Sequence, residues 1–212
     1  MDVNATNDNE NVMDESRRNF FRSAFKKVKT KVVEKVDADA TARAVHWIRP
    51  PYALSELDFL LACTRCDDCI DACPHDVIFP LSARLGVKVV GTPALDLLNK
   101  ACHLCEDWPC VTACTKEALV RPHIEEGAES VPLPLLAIAS INTDACFPYS
   151  GPECGACDGS CPVPGALTWD MQRPVINQQK CIGCGLCRQI CIVEPKAISI
   201  KSRLIIPEAE KD

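Results

Sequence analysis

The chain has 212 residues, a net charge of −6 and 47% apolar residues, enough for one large domain or two small ones. Sixteen cysteines and sixteen prolines, with only 5% aromatics, take positions that a chain of this size would otherwise give to an apolar core, so something besides burial must hold the fold. An acidic body excludes nucleic acid as the partner, and no run of about 18 apolar residues is present to cross a membrane.

Residues 1–15, MDVNATNDNENVMDE, are rich in Asn and Asp and nearly free of apolar side chains. They read as a disordered tail, because such a segment cannot offset the entropy of ordering. Residues 16–45 read as a basic amphipathic helix, ending near Val36, and a linker. Phe20, Phe21, Ala24, Phe25, Val28, Val32 and Val36 recur at helical spacing, although Lys31 and Lys35 intrude on that stripe. Between residues 17 and 36, eight Lys and Arg face the single Glu34, a local +7, so the rest of the chain carries −13. This polarity suits a partner or membrane-surface contact through residues 16–36, or a solvated arm. Arg17-Arg18 and Phe20-Phe21 are similar to a twin-arginine export motif. The following SAFKKVKTKVVEKV, however, carries a lysine every few residues where an apolar stretch of about 7–15 residues is required. The expected location is therefore cytoplasmic, with the periplasm as the disfavoured alternative.

His46-Trp47-Ile48-Arg49-Pro50-Pro51 opens the main region, expected over residues 46–206, because paired prolines stop a helix and impose extended backbone. Within it Pro132-Leu133-Pro134 separates two halves, and residues 207–212 read as a frayed tail.

The sixteen cysteines fall into four quartets. The first, Cys63, Cys66, Cys69 and Cys73 followed by Pro74, has the C-x2-C-x2-C-x3-C-P spacing of bacterial ferredoxins. The fourth, Cys181, Cys184, Cys187 and Cys191, repeats it with Ile192 in place of the proline. The second, Cys102, Cys105, Cys110 and Cys114, widens its middle gap; the third, Cys146, Cys154, Cys157 and Cys161, widens its first. All four keep the final x3 step. Three thiolates two residues apart wrap one corner of a cubane, and the fourth, three residues on, points to a neighbouring cluster, so clusters are expected in pairs. The arithmetic gives four 4Fe-4S clusters on sixteen iron ligands.

Two other uses of cysteine fit less well. Disulfide frameworks scatter their cysteines and belong to secreted chains, and no secretory leader is legible here. A zinc ribbon uses two C-x2-C knuckles some 15–20 residues apart and has no need of a third cysteine. Strands are expected at Val77-Ile78-Phe79, Val175-Ile176 and Ala197-Ile198-Ser199-Ile200, and short helices near Cys69, Cys110, Cys157 and Cys187, whose N–H groups could donate to cluster sulfurs.

The remaining candidates carry less. His75 and His103 sit beside cluster cysteines, but the ligand sets are full, so each reads as a packing or surface residue, as do His46 and His123. Trp47, Trp108 and Trp169 read as packing residues that could also screen clusters from water. No phosphate-cradling glycine loop, Ser–His–Asp order or HExxH helix is present. An electron carrier rather than an enzyme is expected.

The Arg49-Pro50-Pro51 segment, Gly91-Thr92-Pro93 ahead of Cys102-x2-Cys105-Glu106-Asp107-x-Pro109-Cys110, the long Cys146 to Cys154 gap and the Cys191-Ile-Val-Glu-Pro-Lys-Ala-Ile198 ending resemble the NapG and MauM polyferredoxins over about residues 47–203. These are relatives of the four-cluster subunits of dimethyl-sulfoxide-reductase-type enzymes, and NapF is also similar. The resemblance implies a nested exchange of ligands. Cys63, Cys66 and Cys69 would then take Cys191; Cys181, Cys184 and Cys187 would take Cys73. Cys102, Cys105 and Cys110 would take Cys161, and Cys146, Cys154 and Cys157 would take Cys114. Exchange between quartets adjacent in sequence is the arrangement left open beside it.

The expectation is thus an α+β protein of two ferredoxin-like dicluster modules preceded by a basic helix. The resemblance implies that it passes single electrons between a membrane quinol-oxidising system and an oxidoreductase such as nitrate reductase, without a small-molecule substrate. The rival reading is a cytoplasmic docking or maturation factor for an iron–sulfur or molybdenum reductase.

Overall fold

A computed structural model describes residues 34–123 and 130–203. The expected tail at 1–15, the basic helix before residue 34 and the tail at 207–212 lie outside the described residues. The chain divides between Ala40 and Thr41 into two units. Helix α1 is described over residues 34–43 and so continues past Val36, where the sequence reading ends it. Ala38, Ala40 and Ala42, the best helix formers, account for the extension. A single 3-10 turn, Ala44–His46, follows, and Trp47 takes up extended backbone ahead of the two prolines.

Helix α2, Glu56–Ala62, starts on a side-chain cap: Ser55 accepts from the Asp58 N–H as its N-cap, with Glu56 and Asp58 in the first turn. Three single-turn helices share one construction: α3 (Asp68–Asp71), α4 (Pro109–Thr112) and α6 (Leu186–Ile190). Each is entered from a residue in the left-handed region, namely Asp67, Trp108 and Gly185, and each carries a quartet cysteine at its second position. The expected helix near Cys157 is instead a turn over residues 156–159, ended by Gly159 at φ +65°. The third quartet's helix is α5, Phe147–Ser150, in the residues added between Cys146 and Cys154.

The strands form three two-stranded antiparallel sheets. β1 (Ile78–Pro80) pairs with β2 (Pro93–Leu95), Ile78 opposite Leu95. β3 (Ala137–Ile141) pairs with β6 (Ile198–Ser202), Ala139 opposite Ile200. β4 (Leu167–Asp170) pairs with β5 (Arg173–Ile176) across a two-residue turn, Met171 and Gln172, both at positive φ as a right-twisted hairpin requires. The three strands expected from the sequence fall in β1, β5 and β6.

Cysteines are themselves core residues. One cluster joins Phe59, Leu97, Trp108, Leu119, Ile182 and Ile198 with Cys69, Cys73, Cys102, Cys110, Cys157 and Cys184. Beside it lies a polar hub that explains two sequence motifs at once. The Arg49 guanidinium donates through Nε and Nη2 to both Glu56 carboxylate oxygens, at 2.9 and 2.6 Å, and through Nη1 to Thr92 Oγ1 and the Pro93 carbonyl, at 2.9 and 2.8 Å. The Thr92 hydroxyl in turn donates to the Val89 carbonyl. The guanidinium also lies over Phe59, 4.5 Å from the ring centre. Arg49-Pro50-Pro51 and Gly91-Thr92-Pro93, some forty residues apart, are therefore two sides of one buried contact.

Candidate metal centres

Each quartet supplies three thiols to one set and its last cysteine to another. In the first set, Cys63, Cys66 and Cys69 meet Cys114, around a cavity walled by Phe59, Pro93, Ala118 and Leu119. Burial pushes the Cys69 thiol up to about 12, and Cys114, Cys63 and Cys66 add to the rise. In the second set, Cys102, Cys105 and Cys110 meet Cys73. Burial raises Cys102 and Cys110 to about 12, and Cys73 contributes to both. The third set brings Cys146, Cys154 and Cys157 to Cys191, with Trp169 and Pro174 among its walls; burial raises Cys157 to about 11. In the fourth, Cys181, Cys184 and Cys187 meet Cys161 among Val163, Leu167, Ile176 and Ile182, and burial raises Cys187 to about 12.

This grouping corrects the nested exchange. Cys114, not Cys191, completes the first set; Cys73 completes the second; Cys191 completes the third; Cys161 completes the fourth. The reason is local. Helix α3 packs on α4, which carries Cys73 to the second quartet and Cys114 to the first. β3 pairs with β6 across the third and fourth quartets, and this closes the other exchange within the second half.

The donors suit a polynuclear iron–sulfur group better than one ion. Zinc would need its sulfurs about 2.3 Å from a common point, and among the described residues no three His, Cys, Asp or Glu side chains gather that closely. The thiols instead ring three small apolar cavities alike in size, at the first, fourth and third sets. Backbone N–H groups already point at sulfur: Leu104 donates to Cys102, Leu186 to Cys184 and Tyr149 to Cys146, each lowering a pKa that burial raises. Such donors hold negative charge on a sulfur and tune a bound cluster's potential.

His75 and His103 stack on one another, centroids 3.7 Å apart and planes 9° from parallel. Burial lowers the pKa of His103, and the charge of His75 lowers it further. Trp108 packs edge-on to Tyr52 at 4.9 Å, Trp47 is buried beneath Arg49, and Trp169 walls the third cavity. Phe59, which shields the first set, and the glycines of the fourth loop escaped the sequence reading. Gly183, at φ +75°, passes so near β3 that a Cβ would lie 2.1 Å from the Ala137 carbonyl oxygen. The legible signal was two glycines inside one ligand loop.

Gathered thiols, inward N–H donors and swapped fourth cysteines define a ferredoxin-type iron–sulfur protein for electron transfer. A 4Fe-4S dicluster domain matches residues 138–192. The methylamine utilization ferredoxin-type protein MauM of Methylobacillus flagellatus is 30% identical over 88% of this chain and 84% of its own length. The ferredoxin-type protein NapG of Haemophilus influenzae is 33% identical over 72% of this chain, which spans 58% of that relative's length. The ferredoxin-type protein NapF of Escherichia coli is 33% identical over 71% of this chain and 84% of its own. The chain belongs to this NapG and MauM family of ferredoxin-type proteins. No solved structure matches it.

Proposed function

We propose that the sixteen cysteines hold four 4Fe-4S clusters and that the chain passes single electrons between a quinol-linked membrane system and an oxidoreductase, nitrate reductase being the leading example. The observation that carries this reading is the division of all sixteen thiols into four sets of four, with none left over. A bound 4Fe-4S cluster supplies one-electron chemistry in which no bond is made or broken. The chain's own work is to supply thiolates, aim N–H groups at them and exclude water with Phe59, Trp169 and the aliphatic walls. Among the described residues no helix is long and apolar enough to cross a membrane, which is in keeping with a carrier that meets its membrane partner at a surface. A cytoplasmic location, with residues 16–36 as the surface contact, completes the proposal.

Anaerobic iron and acid-labile sulfide analysis with EPR of the reduced protein tests it. About sixteen irons and interacting S = 1/2 centres are expected. About eight irons, or a colourless folded protein, would overturn it.

A further inference from the structure

The approach to the second quartet lies directly against the fourth quartet's loop. The Cys102 N–H donates to the Cys184 carbonyl at 2.9 Å. Gly185, at φ +86°, lets the two backbones close on one another. A Cβ there would stand 3.5 Å from the Lys100 oxygen, 3.6 Å from the Leu97 oxygen and 3.7 Å from the Ala101 Cα. Arg188 Nε donates to the Leu98 carbonyl at 2.9 Å, and its Nη1 donates to the Ile198 carbonyl, so one side chain ties the first half to β6. Leu97 and Ala101 are 1% exposed.

The backbone contact at this seam joins one cysteine from each set, Cys102 of the second and Cys184 of the fourth. Within the halves the exchanged cysteines give the same adjacency: α3 packs on α4 and Cys114 of the second quartet lines the first cavity, while Cys161 of the third quartet lines the fourth cavity and Cys191 of the fourth lines the third. The second set therefore has the first on one side and the fourth on the other, and the fourth has the third beyond it.

We propose that this seam, with Gly185 and Arg188 as its positioning residues, makes the second and fourth sets inner neighbours in a row that runs first, second, fourth, third. Spatial order then departs from chain order, and the two ends of the row are the first and third sets. The inference rests on the four-cluster reading above, but its test can fail separately.

The test uses the full chain, loaded anaerobically and reduced with dithionite. Gly185→Val crowds the seam, and Arg188→Gln removes the tie to Leu98 without adding bulk. Both variants are expected to keep the wild-type iron and sulfide content. Both should lose the part of the magnetic interaction that joins the two pairs of centres, while the splitting within each pair stays. Amide exchange over residues 97–105 should rise about tenfold, which reports the opening of the seam itself. An unchanged interaction spectrum in either loaded variant, despite faster exchange there, would overturn the row. If Gly185→Val fails to load, Arg188→Gln decides. A wild-type protein with fewer than about sixteen irons would instead sink the four-cluster reading.

Discussion

The halves on either side of residues 124–129 hold their thiols by different means. In the first, a side-chain hub does the bracing: Arg49 binds Glu56, Thr92 and Pro93 behind Phe59, and among the described residues the one sheet is the three-residue pair β1–β2. In the second, backbone does it. β3 and β6 pair over five residues, β4 and β5 form a hairpin, and Tyr149 Oη donates to the Pro174 carbonyl at 2.9 Å to fasten the widened loop. What the halves share is the x3 step that sends each quartet's last cysteine to its neighbour in sequence, together with the left-handed entry into a one-turn helix in three of the four cases. The lesson is that ligand geometry is the constant and the scaffold around it is free to change.

The sharpest way to break this comparison is to remove the exchanged ligands. Cys114→Ser is expected to strip or convert the cluster of the first set, and Cys191→Ser that of the third, each lowering the iron count by about four of about sixteen where the cluster is lost and by about one where it is converted to a 3Fe form. EPR would show which signal is lost. If Cys191→Ser disturbed the first set, the halves would not be self-contained.

The bracing can be tested next. In the second half, Gly183→Ala puts a Cβ 2.1 Å from a β3 carbonyl, and a loss on the order of 4 kcal/mol or failure to fold is expected in chemical denaturation. In the first half, Arg49→Met leaves Glu56, whose side chain is 2% exposed, buried and unpaired; about 3–5 kcal/mol should be lost. Adding Glu56→Leu should restore most of it, since two apolar groups leave no stranded charge.

Cluster loading should respond to pH in a fixed direction. Burial holds Cys69, Cys102, Cys110 and Cys187 as neutral thiols up to about 12 and Cys157 up to about 11. Iron must displace those protons, so loading releases protons and is favoured as pH rises toward the folded-state values. Reconstitution should be several-fold faster at about pH 8.5 than at about pH 7, measured by absorbance, with the steeper dependence in the first half, where three of the five lie. The smallest effect belongs to Gly159→Ala. Nothing lies within 4 Å of the new Cβ, and the left-handed backbone alone should account for about 1 kcal/mol.

Much of the site was legible in the spacing of the sulfurs, because four cysteines in a ligand loop leave the backbone few conformations. Their division into quartets and the short helices at Cys69, Cys110 and Cys187 follow from it, and the strands around Ile78, Val175 and Ile198 from the β-branched runs that flank the quartets. Which quartets exchange was not legible. The x3 step says only that Cys73 leaves its own set; the packing of α3 on α4, a contact between distant segments, decides where it goes. The same holds for the hub. Arg49 and Thr92 each stood out as motifs, yet a one-dimensional pattern carries no sign that they touch, and Glu56 is an ordinary first-turn acid until the guanidinium is placed beside it. The helix expected at Cys157 failed on Gly159, whose left-handed backbone favours a turn.

Of the sixteen cysteines, Cys66 alone is exposed. Dioxygen is small and uncharged, and it attacks the sulfur and iron it can reach. An air-aged sample should therefore corrode from the first set inward, still brown while its outermost station has already gone dark.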